Sequence, residues 1–511
     1  MARESSTRAG RRASRGAGNL HQLPWRNVTN PYKPIEVLSE DQIEAIHNAS
    51  LRILEDIGME FLHVEALEIL KRAGAKVTPG SNMVKLDRGL ILEQLKTVKP
   101  TIRFHARNPA HDLTMGGNAI NFCTVASAPN ASDVDGGRRP GNYDDYRNFL
   151  RLAQSFNIIH LAGGYPVEPI DLPPATRHLD CLASFIELTD KVFHAYALGR
   201  TRILDAIEIV RIGRGIGREQ LLREPSLFTI VNTNSPLRLD GPMIEGLIEM
   251  AKANQVVVVT PFTLSGAMAP ASLAGALALQ NAEALAGMAF VKMVNIDAPV
   301  MYGGFTSNVD MKSGAPAFGT PEYTRAALAG GQLTRRYGVP YRSSNASASN
   351  SVDAQAAYES EMSLWGAVMG HANMVMHGAG WMEGGLVASF EKFVLDVELL
   401  QSMAEFLRPL KIDEAELAVE AIRDVGPGGH FFGSAHTLER YETAFYNPLL
   451  SDWRNFENWT LAGSETATQR ATKLYKQVLA DYQPPPLDPG IAEELAAFVA
   501  KRKEEGGAPS N

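Results

Sequence analysis

The feature that most constrains this chain is a short strand-like run followed by an amphipathic helical stretch, repeated eight times through its middle. The runs are "INFCTVA" (120–126), "NIIHLAGG" (157–164) and residues 192–199, 227–234, 256–263, 300–307, 339–346 and 374–381. Strands separated by helices pair in parallel through right-handed crossovers, and eight such units close into a barrel. The pattern predicts an α/β chain built on a (β/α)₈ TIM barrel.

An open, doubly wound sheet is the alternative interpretation of the same alternation. Such a sheet usually carries a glycine-rich phosphate loop after its first strand. The segment "CTVASAPNASD" after the first run has no such fingerprint. The barrel is therefore favoured over the open sheet.

The sequence on either side of the barrel predicts further layers. Residues 1–34 begin with five Arg in "MARESSTRAGRRASRG" and lack apolar residues, which favours a disordered basic tail over a transit peptide. Residues 35–115 are predicted to form an N-terminal helical cap whose first helix has its N-cap at Ser39. The barrel is assigned to residues 116–410. Residues 411–511 are assigned to an aromatic, glycine-rich extension with helices that pack on the barrel.

Composition narrows the classes of partner and location. The net charge of −8 gives no electrostatic reason to bind nucleic acid or an anionic membrane, since both require clustered Lys and Arg. The charge-free stretch 253–282 is interrupted by Pro and polar residues, unlike a membrane span. Two cysteines suit a reducing compartment. The sequence predicts a cytoplasmic protein without nucleic-acid or membrane partners.

The reactive groups of such barrels lie at the carboxyl ends of the strands. The side chains expected there are mostly amides, hydroxyls, glycines and aromatic rings. They are Asn232, Asn234, Thr263, Gly303, Gly304, Phe305, the run Ser343–Ser349, His377, Gly380, Trp381 and Glu383. Arg342 is expected to hold its loop rather than to meet substrate.

Several common mechanisms do not suit this set of side chains. Only His377 and Glu383 resemble metal ligands, so no metal site is predicted. No run ends in a lysine for a Schiff base, and paired carboxylates are missing from the runs. What remains suits a small, cationic ligand held by aromatic faces and a few hydrogen bonds.

Four segments together resemble the trimethylamine methyltransferase superfamily. They are "LSEDQIEAIHNASLRILEDIGMEF", "SVDAQAAYES", "GAGWMEGGLVASFEKFVLD" and "GPGGHFFGSAHTLERYETAFYNPLL", and the match runs through residues 35–480 in consistent order. The resemblance implies a (β/α)₈ enzyme that moves a methyl group from an amine to Co(I) of a corrinoid on a small corrinoid-binding partner protein.

The resemblance also bears on the substrate. The archaeal trimethylamine enzymes place pyrrolysine in a late mouth loop, and here that loop is "SSNASASNSV" (343–352), made of ordinary residues. Trimethylamine is a poor methyl donor without such an electrophile, whereas a quaternary ammonium releases a neutral amine without one. The chain therefore resembles the non-pyrrolysine members that use glycine betaine and related quaternary amines.

Roles for individual residues follow from this resemblance. His377 and Glu383 are the expected catalytic residues. Substrate binding is assigned to Tyr302, Phe305, Tyr341, Asn345, Ser347, Ser349, Asn350, Trp381, Asn232 and Asn234. The glycines expected to leave room for the flat cofactor are Gly303, Gly304, Gly378 and Gly380. The aromatic segment "HFFGSAHTLERYETAFYNPLL" is a candidate for burial against another subunit of a homo-oligomer.

Two alternatives stay open at the level of the sequence. One is a barrel that demethylates trimethylamine, another methylamine or a related cation with a different acceptor, such as tetrahydrofolate. The other is a barrel that binds quaternary amines without turnover, against which the small residues of the mouth argue.

Overall fold

The computed structural model describes Leu20 and residues 22–509. Eight parallel strands form a closed barrel, because the last strand pairs with the first as well as with its predecessor. The strands are β1 (Ala119–Thr124), β2 (Leu161–Ala162), β3 (Val192–His194), β4 (Leu227–Val231), β5 (Val256–Val259), β6 (Val300–Gly303), β7 (Tyr341–Ser344) and β8 (Met374–Ala379). Seven of them lie within their predicted runs, and β1 begins one residue before the run 120–126. The TIM barrel is confirmed, and closure excludes the open sheet.

One long helix follows each strand and packs on the outside of the barrel. The helices are α1 (Tyr143–Ser155), α2 (Arg177–Leu188), α3 (Arg200–Arg214), α4 (Gly241–Lys252), α5 (Leu273–Val294), α6 (Pro321–Tyr337), α7 (Ala354–Met369) and α8 (Phe390–Phe406), with a short helix Arg218–Arg223 after α3. Short strands in the loops at the mouth are Asn130–Asp133, Gly137–Pro140, Arg238–Leu239, Phe262–Ser265, Phe305–Val309, Pro316–Ala317, Trp381–Met382 and Val387–Ser389, and a 3₁₀ turn spans Glu383–Gly385.

Alternate strand residues divide between two separate cores. Inward side chains such as Cys123, Val258 and Met376 fill the barrel. A hairpin of strands Thr101–Phe104 and Leu113–Gly116 packs against them, and the ring of Phe104 lies 6.0 Å from that of Phe228. The outward side chains pack on the helices. The hairpin therefore extends the apolar core inside the barrel.

The N-terminal layer mixes helices with short strands rather than being purely helical. Its elements are Val28–Thr29, Glu40–Arg52, the π-helix Ile53–Ile57, Met59–Phe61, Val64–Arg72, Lys76–Val77, Met83–Lys85, Arg88–Leu95 and the 3₁₀ turn Pro109–His111. Ser39 caps Glu40–Arg52 in a reciprocal capping box with Gln42, as predicted.

The predicted disordered tail is wrong for residues 22–34. Val28–Thr29 pairs antiparallel with β1, Arg26 forms an ion pair with Glu405, and Trp25 packs 4.3 Å from the ring of His111. These three anchors lie within residues 25–29 and hold this stretch on the protein, which local composition did not reveal. The rest of the predicted tail, residues 1–19 and 21, lies outside the described residues, and the division into cap, barrel and extension stays a prediction.

Helix α5 is the one described helix long and apolar enough to span a membrane. It is a core helix instead, since 89% of its most apolar window is buried inside the protein. The N-terminal layer covers its outer side; for example, Ser50 donates a hydrogen bond to the carbonyl of Ala278. A helix covered on both sides needs no polar face, which explains why the charge-free stretch continues into the first ten residues of α5 (273–282).

The chain continues past the barrel as short helices and two longer ones. These are Glu414–Leu417, Val419–Val425, Phe431–Gly433 (a 3₁₀ turn), Ala435–Arg440, Phe456–Leu461, Ala467–Ala480 and Pro489–Glu504. Helix Ala467–Ala480 packs on α8 and α1. Thr468 donates a hydrogen bond to the carbonyl of Val352, so the start of this helix lies near the mouth.

Candidate active site

Buried polar atoms without a partner in the chain are concentrated at one side of the barrel mouth. Seven of the eleven such atoms in the described residues lie at the ends of β5, β7 and β8. They are Thr260 Oγ1, Arg342 Nε and Nη1, Ser344 Oγ, Asn345 Oδ1, His377 Nδ1 and Trp381 Nε1. Buried polar groups in folded proteins are nearly always hydrogen-bonded. This group of atoms therefore indicates a site for a polar ligand.

Arg342 is the most unusual member of this group. Its side chain points into the barrel, is 2% exposed, and has no carboxylate partner among the described residues. The guanidinium carbon lies 5.0 Å from the centre of the Phe305 ring. Burial lowers the pKa of Arg342 to about 10, which leaves it protonated at neutral pH. A buried, unpaired cation is costly, and an anionic ligand would offset that cost.

Aromatic rings form a wall beside Arg342. The His377 and Trp381 rings lie 4.0 Å apart, and Phe305 lies 5.7 Å from His377 and edge-on to Trp381 at 6.2 Å. Phe318 stacks on Phe305 at 5.6 Å and was not predicted, because it lies in the loop beyond β6 rather than at a strand end. The structure thus brings together three predicted residues, Phe305, His377 and Trp381.

His377 has an uncommon backbone conformation that its surroundings hold in place. Its φ of +56° lies in the left-handed region, where the register between β8 and β1 shifts. Burial, followed by the positive charge of Arg342 and the proximity of His194, holds the pKa of His377 well below its usual value. The imidazole is therefore neutral, and it does not repel a cation placed against its ring.

A buried network fixes the end of β8 and the turn after it, which carry His377 and Trp381. Asn345 donates to the carbonyl of Gly378 (3.0 Å), and Asp396 accepts the backbone N–H of Gly380 (2.8 Å). Asp396 also forms a fully buried ion pair with Lys392, which donates to Ser360 Oγ at 2.7 Å. These contacts between α7, α8 and two mouth loops were not predicted, since they join residues far apart in the sequence.

The polar loop 343–352 does not offer the donors that the sequence suggested. Ser347 Oγ and the backbone N–H groups of Ala348 and Ser349 all donate to one oxygen of Glu359, at 2.8–3.0 Å. Ser349 Oγ donates to the carbonyl of Ser351, and Asn350 is exposed. Ser347 and Ser349 are occupied within the chain, because small residues let the loop wrap around a carboxylate, and this corrects their expected role as substrate donors. Substrate contact by Asn350 stays a prediction. Asn345 is buried at the mouth with its Oδ1 unpaired, and its contact with substrate stays a prediction.

Tyr302 and Tyr341 also lie outside the mouth, which corrects their predicted role in the aromatic wall. They pair in register on β6 and β7 and point outward. Tyr302 is hydrogen-bonded to Gln280 and Asn281 of α5, and Tyr341 donates to the carbonyl of Ala327 of α6. Because strand side chains alternate, the outward position of Tyr341 places Arg342 inside.

The remaining predicted polar residues lie at the rim. Glu383 accepts a hydrogen bond from Arg138 at 3.0 Å in an ion pair. Asn232 is half-buried and donates to the carbonyl of Thr260, whereas Asn234 is exposed and caps the turn at Asp240. A catalytic role for Glu383 and substrate contact by Asn232 stay predictions, and Asn234 is occupied by its own turn.

The four glycines assigned to cofactor binding are closely packed on protein. A Cβ at Gly303 would collide with Thr260 Oγ1, and one at Gly378 would lie 2.7 Å from the carbonyl of Cys123. At Gly304 and Gly380 it would lie 3.0 Å from the Tyr341 hydroxyl and 3.1 Å from Val125. Packing explains Gly303 and Gly378 and leaves little room for a Cβ at Gly304 and Gly380, and the contact of all four with a cofactor stays a prediction.

A cavity of about 530 Å³ occupies the other side of the mouth, at the ends of β1 to β4. Tyr165, Tyr196 and Leu198 give it apolar walls, and Arg202 and Asn232 add polar groups. Tyr196 lies 4.6 Å from His194, which faces the barrel interior beside Arg342 and His377. No group of three or more His, Cys, Asp or Glu in the described residues could hold a metal ion directly.

Comparison with known proteins identifies the family. The family model described as trimethylamine methyltransferase (MTTB) matches residues 4–507. This chain belongs to the trimethylamine methyltransferase (MTTB) family. The resemblance stated from four segments is confirmed, and with it the assignment of this MTTB-family chain as a methyltransferase.

Two curated relatives cover most of the chain. Glycine betaine methyltransferase of Desulfitobacterium hafniense (strain Y51) is 40% identical over 472 residues, which is 92% of this chain and 98% of that protein. Trimethylamine methyltransferase MttB of Desulfitobacterium hafniense (strain DSM 10664 / DCB-2) is 28% identical over 92% of this chain and 94% of that protein. The MTTB-family chain is thus similar to enzymes named for two different methyl donors.

A solved structure also aligns with this MTTB-family chain. The crystal structure of the Methanosarcina barkeri monomethylamine methyltransferase (MtmB) covers 91% of this chain and 88% of that chain, with 9% identity and a TM-score of 0.45. The barrel assignment rests on the strand pairing described above.

Proposed function

We propose that this MTTB-family enzyme takes a methyl group from a carboxylate-bearing quaternary ammonium compound, with glycine betaine as the simplest example. The methyl acceptor is the Co(I) of a corrinoid carried by a small partner protein. The observation that carries the proposal is Arg342, a buried cation without a counter-ion beside an aromatic wall. One ligand that bears both a carboxylate and a quaternary ammonium matches both features.

The guanidinium of Arg342 binds the substrate carboxylate. Its Nε and Nη1 are both buried and without partners, and these two donors match the two oxygens of a carboxylate. Asn345 and Ser344 present further polar atoms on the same strand end. This assignment replaces the Ser/Asn loop as the anion-binding element.

The wall of Phe305, His377 and Trp381 holds the trimethylammonium group. Aromatic faces attract such cations, with about 2 kcal/mol per ring when water is excluded. The neutral state of His377 is needed here, because an imidazolium would repel the substrate. Held at both ends, the substrate keeps one N-methyl group in a fixed direction toward the opening.

The transfer itself needs little from the protein beyond position. A corrinoid in the Co(I) state supplies the nucleophile when its carrier docks at the mouth. The methyl group would pass to that nucleophile as its C–N bond breaks, and the electron pair would stay on nitrogen, so that a neutral tertiary amine would leave. No electrophilic side chain is required, which agrees with the ordinary residues of loop 343–352. Fixed geometry supplies the acceleration through effective molarity.

We also place the enzyme in the cytoplasm. Cys123 and Cys181 are both buried and unpaired, and burial strongly raises the pKa of the Cys181 thiol. Neither cysteine contributes a disulfide to stability, as is usual for proteins of a reducing compartment.

The test is a methyl-transfer assay with chemically reduced free cobalamin. Glycine betaine should change the visible spectrum of cobalamin, while choline, which lacks the carboxylate, should react at least about tenfold more slowly. Trimethylamine serves as the control donor without a positive charge fixed on nitrogen. Equal rates for glycine betaine and choline would contradict the role of Arg342. No methylation from any carboxylated quaternary amine, with free cobalamin or with a corrinoid protein, would contradict the function.

The alternative acceptor is tested in the same reaction. Tetrahydrofolate replaces cobalamin, and mass spectrometry follows loss of one methyl group from glycine betaine. Demethylation that depends on tetrahydrofolate and ignores cobalamin would replace the corrinoid in the proposal.

A further inference from the structure

Thr260 follows the last residue of β5 and continues the inward row of side chains on that strand. Val256 and Val258 of the same strand lie in the core inside the barrel. Because strand side chains alternate, Thr260 also points inward, at the mouth end. Its N–H donates to the carbonyl of Val231 at 2.8 Å, and its carbonyl accepts a hydrogen bond from the Asn232 side chain at 3.0 Å. The backbone of Thr260 is therefore fixed on both sides.

The hydroxyl of Thr260, by contrast, has no partner. The residue is 0% exposed, and its Oγ1 makes no hydrogen bond to any residue that the structure describes. Neighbouring buried threonines are paired: Thr229 donates to the carbonyl of Ala195 at 2.6 Å, and Thr124 accepts the N–H of Gly163 at 2.8 Å. Leaving a buried hydroxyl unpaired costs free energy. A polar ligand at the mouth would remove that cost.

Gly303 brings this hydroxyl next to Arg342. Gly303 and Arg342 pair in register on β6 and β7, so they face the same side of the sheet. On its other side Gly303 borders Thr260, whose hydroxyl occupies the space that a Cβ at residue 303 would take. Neighbouring strands lie about 4.8 Å apart. Since glycine has no side chain, no side chain of β6 separates the Thr260 hydroxyl from Arg342.

We propose that Thr260 is a second residue that binds the substrate carboxylate and so favours carboxylated donors. The inference rests on the proposed function, in which Arg342 binds that carboxylate through Nε and Nη1. A carboxylate has about four lone-pair sites, so two bonds to the guanidinium leave room for a third donor. The Thr260 hydroxyl donates this third bond. Hydrogen bonds to an ionised group are stronger than those between neutral groups, which makes the hydroxyl a determinant of specificity.

The other threonine near the mouth is already engaged. The sequence placed Thr263 among the side chains at the strand ends. Its hydroxyl is hydrogen-bonded to that of Thr306, which in turn donates to Gln280 at 2.6 Å. Of these two threonines, Thr260 is the one whose hydroxyl is left for a ligand.

Calorimetric titration of the full chain with glycine betaine tests the proposal. Thr260→Val keeps the shape of the side chain and removes the hydroxyl, so Kd should rise at least about tenfold. Thr260→Ser keeps the hydroxyl and should bind within about threefold of the wild type. The free energy of unfolding of Thr260→Val without ligand, from urea denaturation, should be equal or higher, because the hydroxyl it lacks had no partner in the chain.

Two further variants separate the role of Thr260 from general effects. The Thr334 hydroxyl is equally buried but donates to the carbonyl of Gly331 at 2.9 Å, so Thr334→Val should leave Kd unchanged. Thr260→Val/Arg342→Met tests whether both residues bind one carboxylate. Its kcat/KM for glycine betaine should lie within about threefold of that of Arg342→Met alone, because residues that share a partner are not additive.

The outcomes distinguish this inference from the proposed function. A wild type that does not bind glycine betaine would contradict the proposed function itself. Wild-type binding with unchanged affinity in Thr260→Val would overturn the role of Thr260 alone. A loss of stability in Thr260→Val, or independent losses in the combined variant, would do the same.

Discussion

Replacing Arg342 with methionine keeps much of the side-chain volume at the mouth and removes the charge. Arg342 is 2% exposed and has no carboxylate partner among the described residues, so the variant breaks no ion pair within the chain. What it removes is the proposed bond to the substrate carboxylate. We therefore expect a large loss for glycine betaine and almost none for choline, which lacks that group.

The size of this loss follows from the burial of the site. Opposite charges about 4 Å apart attract by about 4 kcal/mol at an effective dielectric constant of about 20. Truncating one partner of a buried, hydrogen-bonded charge pair typically costs about 2–5 kcal/mol. A loss of about 3 kcal/mol lowers kcat/KM for glycine betaine by about 10²-fold. The free energy of unfolding should stay equal or rise, because a buried unpaired cation has been removed.

The assay compares the initial rates of cobalamin methylation for both donors, and urea denaturation measures stability in the same preparations. Arg325→Met, on the exposed face of α6, is the matched control and should change neither quantity. A purely structural Arg342, as the sequence alone suggested, gives a different result. In that case both donors lose activity equally and the free energy of unfolding falls, which would refute the reasoning.

Three further predictions concern the surroundings of Arg342. His377→Asn keeps a residue that tolerates a left-handed φ but removes the ring that packs against Trp381. Methylation from all quaternary donors should fall at least about tenfold, with unchanged circular dichroism. Unchanged turnover would remove His377 from the site. Lys392→Met leaves Asp396 buried and unpaired, and it should lower the free energy of unfolding in urea denaturation by about 3–5 kcal/mol. The double variant Lys392→Met/Asp396→Leu should recover most of that lost stability. Equal losses of stability in both variants would contradict the buried pair. Only the protonated guanidinium binds a carboxylate. Calorimetry should therefore show that the affinity for glycine betaine falls as the pH rises through about 10, the pKa of Arg342, while the affinity for choline stays unchanged. A parallel decline for choline would assign the effect to another group.

The order of strands and helices was predictable because it is written in local patterns. Each of the eight strand runs is short, apolar and followed by a helical stretch, and chain connectivity then leaves the closed barrel as the consistent arrangement. The closeness of Phe305, His377 and Trp381 was also predictable, since residues at or just beyond the carboxyl ends of barrel strands lie at the mouth or its rim.

The corrections to the aromatic wall and to Arg342 concern the direction of side chains. Tyr341 and Arg342 are neighbours on β7, and alternation requires that they point to opposite sides. The letters do not say which of the two points inward. The structure answers this through α5 and α6, whose polar groups bind the two tyrosine hydroxyls and leave Arg342 inside the barrel.

The loop "SSNASASNSV" shows the same division. Its small, uncharged residues indicated that the loop carries no electrophile and that another group lies close against it. That neighbour is Glu359, eleven residues beyond Ala348, rather than the substrate. The sequence by itself determined the barrel, the family and the mouth. Only the tertiary structure decided which polar groups there are already paired and which, above all Arg342, are left for a ligand, because hydrogen-bond pairing depends on contacts between residues that are distant in the chain.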